Sequence, residues 1–376
     1  MDLPRIAITL GDVAGIGPEV IVRAWNYASL HTICRPFVVG HPEVLRRALR
    51  LVDGGARVVE VATPEQAEPR INAIPCLPTG NDNVLQVSAG HVDARAGEAA
   101  FRYLVTAGKL ALAGRVDAIT TAPLSKYALH AAGHRYPGHT EVLANLARVD
   151  DFAMMLYLPR REPASAPSSV GPAVASGASG GFGVAHVTLH TALADVARLL
   201  TVENVFSKIR LVHELIERLE GRRPRVAVAA LNPHAGEGGL FGDEEKRILE
   251  PAIARARQAG FDVTGPVPAD TLFLRAAQGE FGAVVAMYHD QGHIAVKLLG
   301  FHRAVNVTLG LPLVRTSVAH GTAFDIAWQG KAQPDGMVEA LRVAAALARR
   351  LPGDGASPSS RDDSRPESGN AVVAEG

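Results

Sequence analysis

Short apolar, β-branched runs alternate along the chain with longer segments of helical period. Ile6-Ala7-Ile8-Thr9-Leu10 leads into a glycine loop and then a helical pattern from Glu19 to Ala28. Pro36–Val39, Arg57–Val61 and Ala118–Thr120 read as further strands of the first half. Gly183–Thr188, Arg225–Ala230, Gly282–Met287 and Ala304–Thr308 read as strands of the second. Alanine-rich Ala94–Leu112 predicts one long helix, and Glu203–Glu220, Asp243–Ala259 and Gly336–Arg350 predict three more. This alternation predicts an α/β fold on a largely parallel sheet with helices on both faces. In such sheets ligands bind beyond the carboxyl ends of the strands.

Composition narrows the function without naming it. Apolar residues make up 47% and charged residues 20% of the 376, enough for a large core in one or two domains. The formal net charge is zero, and no basic face of the kind a nucleic-acid binder needs is evident. Cys34 and Cys76 lack metal-type spacing and cannot build a disulfide framework, which predicts a reducing, cytoplasmic setting. The chain enters a strand-like run at once, so no signal peptide is expected, and no apolar run reaches the length of a membrane span. Residues 1–351 are expected to form a single catalytic unit of two interleaved α/β subdomains. Two stretches stand apart: an Ala/Ser/Pro/Gly-rich segment at about 161–182, expected to be a mobile surface insertion, and a tail over 352–376, expected to be disordered.

Candidate chemistry concentrates after the later strands. Tyr288-His289-Asp290-Gln291-Gly292-His293, with Lys297, Asn306 and Arg315, gathers groups that are costly to hold in a globular domain unless they bind something. A helix beginning at His289 would put His289, His293 and Lys297 on one face. That face is either a two-histidine metal grip, a metal ligand beside a substrate contact, or a solvated polar stripe, and the flanking Asp290, Asn306 and Arg315 argue against the last. His234, in the loop Asn232-Pro233-His234-Ala235-Gly236-Glu237-Gly238-Gly239, and His190 also follow apolar runs, so His190, His234 and His289 suggest a metal site assembled by the fold. Gly11-Asp12-Val13-Ala14-Gly15-Ile16-Gly17-Pro18-Glu19 is either an anion-binding strand-to-helix turn or simply a well-built turn, and it is not the dinucleotide fingerprint. Thr121 to Lys126 offers hydroxyls and a lysine, with Ser125 equally readable as a helix cap. His139 and Thr140 open a further helix, a position suited to an anionic group. Asp270 is a candidate N-cap that alternatively serves the metal or the substrate.

In order along the chain, Gly11 to Glu19, Thr121 to Lys126, Gly138 to Glu141, Asn232 to Gly239, Tyr288 to Gly292 and Gly310 to Ser317 together resemble the 4-hydroxythreonine-4-phosphate dehydrogenase family of vitamin B6 biosynthesis. The resemblance runs from about Arg5 to Arg350. It implies an isopropylmalate-dehydrogenase-like fold of two subdomains with parallel and mixed sheets, flanking helices and an active site in the cleft. It implies a homodimer with a shared site, in which His190, His234 and His289 hold a divalent ion such as Zn, Mg, Co or Mn, one of them given by the second subunit. His139, Thr140, Lys297, Asn306 and Arg315 match substrate contacts, and Lys297, Asp290 or Asp270 would move protons. The implied reaction is NAD- or NADP-linked oxidation of 4-phosphohydroxy-L-threonine to a β-keto acid that decarboxylates to 3-amino-2-oxopropyl phosphate. Val13 and His293 depart from the family pattern. The Gly292-His293-Ile294 version is more similar to paralogues acting on threonate or erythronate 4-phosphates, and a further branch acts on aromatic dicarboxylate cis-dihydrodiols. A non-catalytic metal or small-molecule binding protein is the alternative of another class. His186, inside a strand, is the weaker ligand candidate beside His190.

Overall fold

The computed structural model describes residues 2–52, 55–159 and 181–349. The first half runs β1 (Arg5–Thr9), α1 (Gly17–Trp25), α2 (Ala28–His31), β2 (Arg35–Gly40), α3 (Pro42–Leu51), β3 (Arg57–Glu60), β4 (Ala73–Pro78), α4 (Ala94–Leu112), β5 (Ala118–Thr121), α5 (Lys126–Ala131) and α6 (His139–Ala147). Then come β6 (Ala153–Leu158), β7 (Phe182–His186), α7 (Val196–Leu199), α8 (Val202–Glu220), β8 (Val226–Ala229), α9 (Glu250–Gln258), β9 (Val263–Val267) and α10 (Ala269–Ala277). The chain closes with β10 (Ala283–Ala286), α11 (His289–Gly300), β11 (Val305–Leu309), β12 (Arg315–Val318) and α12 (Asp335–Ala348). No helix of the described residues is long and apolar enough to cross a membrane.

All twelve strands join one sheet in the order β3-β4-β2-β1-β5-β12-β11-β6-β7-β10-β8-β9. Both flanks are parallel, as the alternation predicts, and β1, β5, β8 and β10 are buried almost throughout because helices cover both faces. The centre is different: β11 runs antiparallel to β12 and β6, and β6 antiparallel to β7. The two parallel flanks therefore point in opposite directions and meet at an antiparallel seam. Strands β4, β6, β9 and β12 escape the reading from periodicity. Ile74-Pro75-Cys76 and Val263-Thr264-Gly265-Pro266 are interrupted by proline and glycine, and β12 begins on a charged residue.

Helix bounds follow local chemistry closely. Asp93 accepts from the Arg95 amide and caps α4, which starts and ends where the alanine-rich pattern does. Thr201 and Asn204 form a capping box that starts α8, and Gly221 ends it in the left-handed conformation. The helix expected over Asp243–Ala259 is broken into a π-turn at Glu245–Leu249 followed by α9. The 161–182 segment lies outside the described residues apart from its last two, and Phe182 already opens β7; the tail over 352–376 lies outside them entirely.

Close helix contact fixes the first half. A Cβ on Gly97 of α4 would stand 2.0 Å from the Ala128 carbonyl oxygen of α5, so α5 can dock there only on glycine. Gly97→Ala should therefore lower unfolding stability by about 1–3 kcal/mol despite alanine's better helix propensity, read from urea unfolding. A neutral or stabilising result would contradict this packing.

Candidate active site

The site lies on one face of the seam. Arg315 pairs with Ile119 across β12 and β5, Thr308 pairs with Met154 across β11 and β6, and His186 pairs with Ala286 across β7 and β10. Continuing the β11–β12 and β6–β7 registers sets Thr308 opposite Arg315 and Met154 opposite His186. Directly opposed residues share a face, so Arg315, Thr308 and His186 point to the same side, as do Thr121 and Asn306 two positions along their strands. The intervening Thr316 points away and donates to the Ala340 carbonyl of α12 on the other face.

One end of this row is an anion pocket. Arg315 is buried, and its guanidinium donates to Thr121 Oγ1 at 2.7 Å and Thr308 Oγ1 at 3.1 Å. Both partners are neutral. Burial pulls its pKa down to about 10, opposed by the nearby charge of Glu141. His139 is the first residue of α6, and the cap position before it, Gly138, has no side chain to satisfy the helix amides. Burial and the Arg315 charge keep the His139 imidazole well below its usual pKa, hence neutral. Thr140 follows it on the same turn. Asn306 Oδ1 is buried without a hydrogen-bond donor among the described residues. Ser125 proves to be a cap, accepting from the Ala128 amide, so of that motif only Thr121 and Lys126 remain available.

The other end is a cluster of four histidines. α11 begins at His289, as the spacing predicts, and lays His289, His293 and Lys297 along one face. The His289 and His293 rings stack at 3.7 Å, 11° from parallel. His293 Nδ1 lies 3.1 Å from His186 Nε2, and the His190 ring centre lies 5.9 Å from that of His289. His289 Nδ1 is engaged by Asp290 Oδ1 at 2.6 Å. Burial, and then neighbouring histidine charge, lowers the pKa of His186 and of His293, the latter to about 4. Burial followed by Lys126 lowers that of His190. The influence of Glu141 reaches both Arg315 and His190, which ties the two ends together.

His234 stands apart. Its loop is anchored by buried Glu245, which accepts from the Leu231 amide (2.9 Å), the Asn232 amide (2.8 Å) and the Asn232 side chain (2.9 Å). From His234 to Gly238 the backbone coils left-handed through five residues, with φ of 53°, 55°, 77°, 42° and 68°. The imidazole is exposed and meets only Glu237 and the Phe241 ring. Among the described residues no group of three side chains is placed to hold a metal. His190 and His289 offer imidazole nitrogens that suit a divalent transition ion, with Nδ1 of His289 engaged by Asp290 and its Nε2 left free, and so fit as two members of a three-histidine set. Asp270 is not an N-cap: Pro268 holds that position and Asp270 lies exposed in the first turn of α10, where no hydrogen bond or ion pair joins it to the cluster.

Sequence reading passed over four contributors. His186 was set aside for lying in a strand, yet it backs the cluster. Thr308 lies in no motif, and Glu141 closes the Gly138–Glu141 motif without an assigned role of its own. Asp12, inside the Gly11–Glu19 turn, is fully buried, accepts from the Ala14 amide at 2.9 Å, and is pushed by burial up to about 6.

A family model described as pyridoxal phosphate biosynthetic protein PdxA matches residues 32–344. The chain is 44% identical over 355 residues to a 4-hydroxythreonine-4-phosphate dehydrogenase of Geobacter metallireducens, covering 94% of this chain and 98% of the relative. It is 45% identical over 350 residues to a D-threonate 4-phosphate dehydrogenase of Cupriavidus necator, covering 93% and 98%. A crystal structure of 4-hydroxythreonine-4-phosphate dehydrogenase from Klebsiella pneumoniae superposes with a TM-score of 0.79 at 43% identity, covering 92% of this chain and 99% of that one.

The buried imidazoles make acid sensitivity a property of this site. Unfolded histidine takes up a proton near pH 6.5, whereas folded His293 resists until about 4. The stability this neutral ring contributes is present above pH 6.5 and is lost as pH falls toward 4. Asp12 acts with the opposite sign, losing its contribution as pH rises from about 4 through 6. His293→Phe should therefore lose less stability than the parent between pH 7 and 4.5 in urea unfolding; equal losses would contradict the neutral assignment.

Proposed function

The chain belongs to the PdxA family of pyridoxal phosphate biosynthetic proteins and is a dehydrogenase; from that premise we propose that it oxidises 4-phosphohydroxy-L-threonine with NAD or NADP. The observation that carries this reading is the single row joining buried Arg315 to the histidine cluster. Such a substrate presents a phosphate and a carboxylate on either side of a secondary hydroxyl. A guanidinium donating only to neutral hydroxyls retains charge for an anion, and the uncapped start of α6 adds amides, His139 and Thr140. Lys126, whose charge already acts on His190, supplies further positive charge toward such an anion. Asn306 Oδ1 accepts from a substrate N–H or O–H, which relieves an otherwise unmet buried acceptor.

Oxidation removes a proton from the hydroxyl and a hydride from its carbon. The nicotinamide cofactor is the hydride acceptor, and the chain's part is to hold the carbon in line with it. Lys297 takes the hydroxyl proton, standing one turn beyond His293 on the face that bears His289. Asp290 is committed to orienting His289, and Asp270 has no assigned role. A divalent ion held by His190, His289 and His234 of a second copy would polarise the substrate oxygen during oxidation and during loss of carbon dioxide from the β-keto acid.

The surface supports that second copy. α11 exposes Ile294 and Leu298, with exposed Phe301 just past its end at i+7, and the His234 loop leads into exposed Leu240 and Phe241. Apolar side chains exposed in a stripe beside a site mark an association surface. D-threonate 4-phosphate is the second reading. Its backbone carries a hydroxyl in place of the ammonium, and His293, near the site, is the residue that favours it.

Three measurements test this. NAD(P)H formation should be strong with one of the two substrates, fall on chelation and return with a divalent ion; no turnover of either would overturn the assignment. His234→Ala should abolish turnover while thermal unfolding stays within a few degrees of the parent, and near-normal activity would remove His234 from the metal set. Leu298→Arg should yield monomers in sedimentation analysis with turnover lost in parallel, and an unchanged dimer would move the interface elsewhere.

A further inference from the structure

His289 is restrained on several sides, and its neighbour Asp290 provides only one of the contacts. The His293 ring covers one face of it at 3.7 Å. His293 is itself fixed from behind, with Nδ1 3.2 Å from the His289 carbonyl oxygen and 3.1 Å from His186 Nε2. A carbonyl oxygen only accepts, so His293 Nδ1 carries the proton and His186 Nε2 is the acceptor. The tautomers of both rings follow from that one carbonyl. Gly292 makes the contact possible: a Cβ there would lie 2.5 Å from His186 Nε2 and 2.6 Å from Val184 Cγ1, so α11 settles onto β7 only on glycine.

We propose that the buried His186–His293 pair is a positioning device that holds the ring plane of His289, leaving Nε2 as its one nitrogen free to ligate. The inference rests on the reading of His190 and His289 as metal ligands. Neither His186 nor His293 touches the ion. His293 fills the space into which the His289 ring would otherwise swing, and His186 keeps His293 from leaving it. A ligand spread over several orientations captures an ion more weakly than one already aimed.

Cobalt(II) binding to the full-length protein tests this without reference to turnover. Affinity is measured by competition with a chromophoric chelator, and the ligand geometry by the visible absorption of the bound ion. His289→Ala should abolish tight binding. His293→Ala should weaken it by about 10–100-fold and alter the spectrum. His293→Phe keeps a ring against His289 without the donor, and His293→Asn keeps a donor without the ring; each should fall between parent and His293→Ala. Because phenylalanine fills the space, its variant keeps the test open should His293→Ala fail to fold. If all His293 variants bind cobalt like the parent while His289→Ala does not, the positioning role is wrong. If His289→Ala binds like the parent, the ligand reading itself falls, and the positioning proposal with it.

Discussion

The reversal of strand direction at the β12-β11-β6-β7 seam is the constraint on which the rest of the molecule depends. Two parallel flanks pointing in opposite directions are joined through β11 and β6, whose antiparallel pairings carry the reversal across the centre of the sheet. The seam brings the start of β12 and the ends of β11 and β7 onto one level. Arg315, Thr308 and His186, far apart in sequence, thereby share a face and an elevation. Since the side-chain period of a strand is two residues, a slip of one position in β11 or β6 would turn Thr308 or Met154 to the opposite face. The burial of both faces makes such a slip unfavourable, so core packing and site geometry are secured by the same pairings.

Electrostatics at the site follow from where that seam lies. Its inner side chains are buried, and desolvation lowers the pKa of His139, His186 and His293 and that of Arg315. Neutral imidazole is the form that ligates and stacks, while a guanidinium remains charged even after a drop to about 10. One physical effect thus leaves the site with lone pairs at one end and a positive charge at the other. At the Arg315 end, an anion of the proposed kind would meet a guanidinium hydrogen-bonded only to neutral hydroxyls, since Glu141 acts on Arg315 without a hydrogen bond to it.

Much of this was legible in the residues. The start of α6 at His139 was read from its motif, and a helix from His289 was the condition under which a spacing of four places His289, His293 and Lys297 together, as α11 does. The mixed centre of the sheet was not legible, because strand direction depends on pairing partners and not on local pattern. The contact of His186 with His293 was not legible for the same reason: a strand residue's neighbours come from other strands and from the helix above. Asp270 was misread because an acidic residue in a first turn and an N-cap carry nearly the same sequence signal, and only the backbone angles of Pro268 separate them. The displacement of His234 from the other histidines is a matter of tertiary distance, on which spacing is silent.

The left-handed coil from His234 to Gly238 has a consequence for how this sequence can change. Three of its five residues bear side chains in a conformation that costs an L-residue roughly 1–2 kcal/mol each. Glycine at Ala235 or Glu237 would relieve that strain, so a search for greater stability alone would drift toward it. Drift of that kind would soften the backbone segment that holds the exposed His234 imidazole in a fixed direction. On the proposed role of His234, stability and function pull against each other here, and the loop is where hardening the fold would blunt that role.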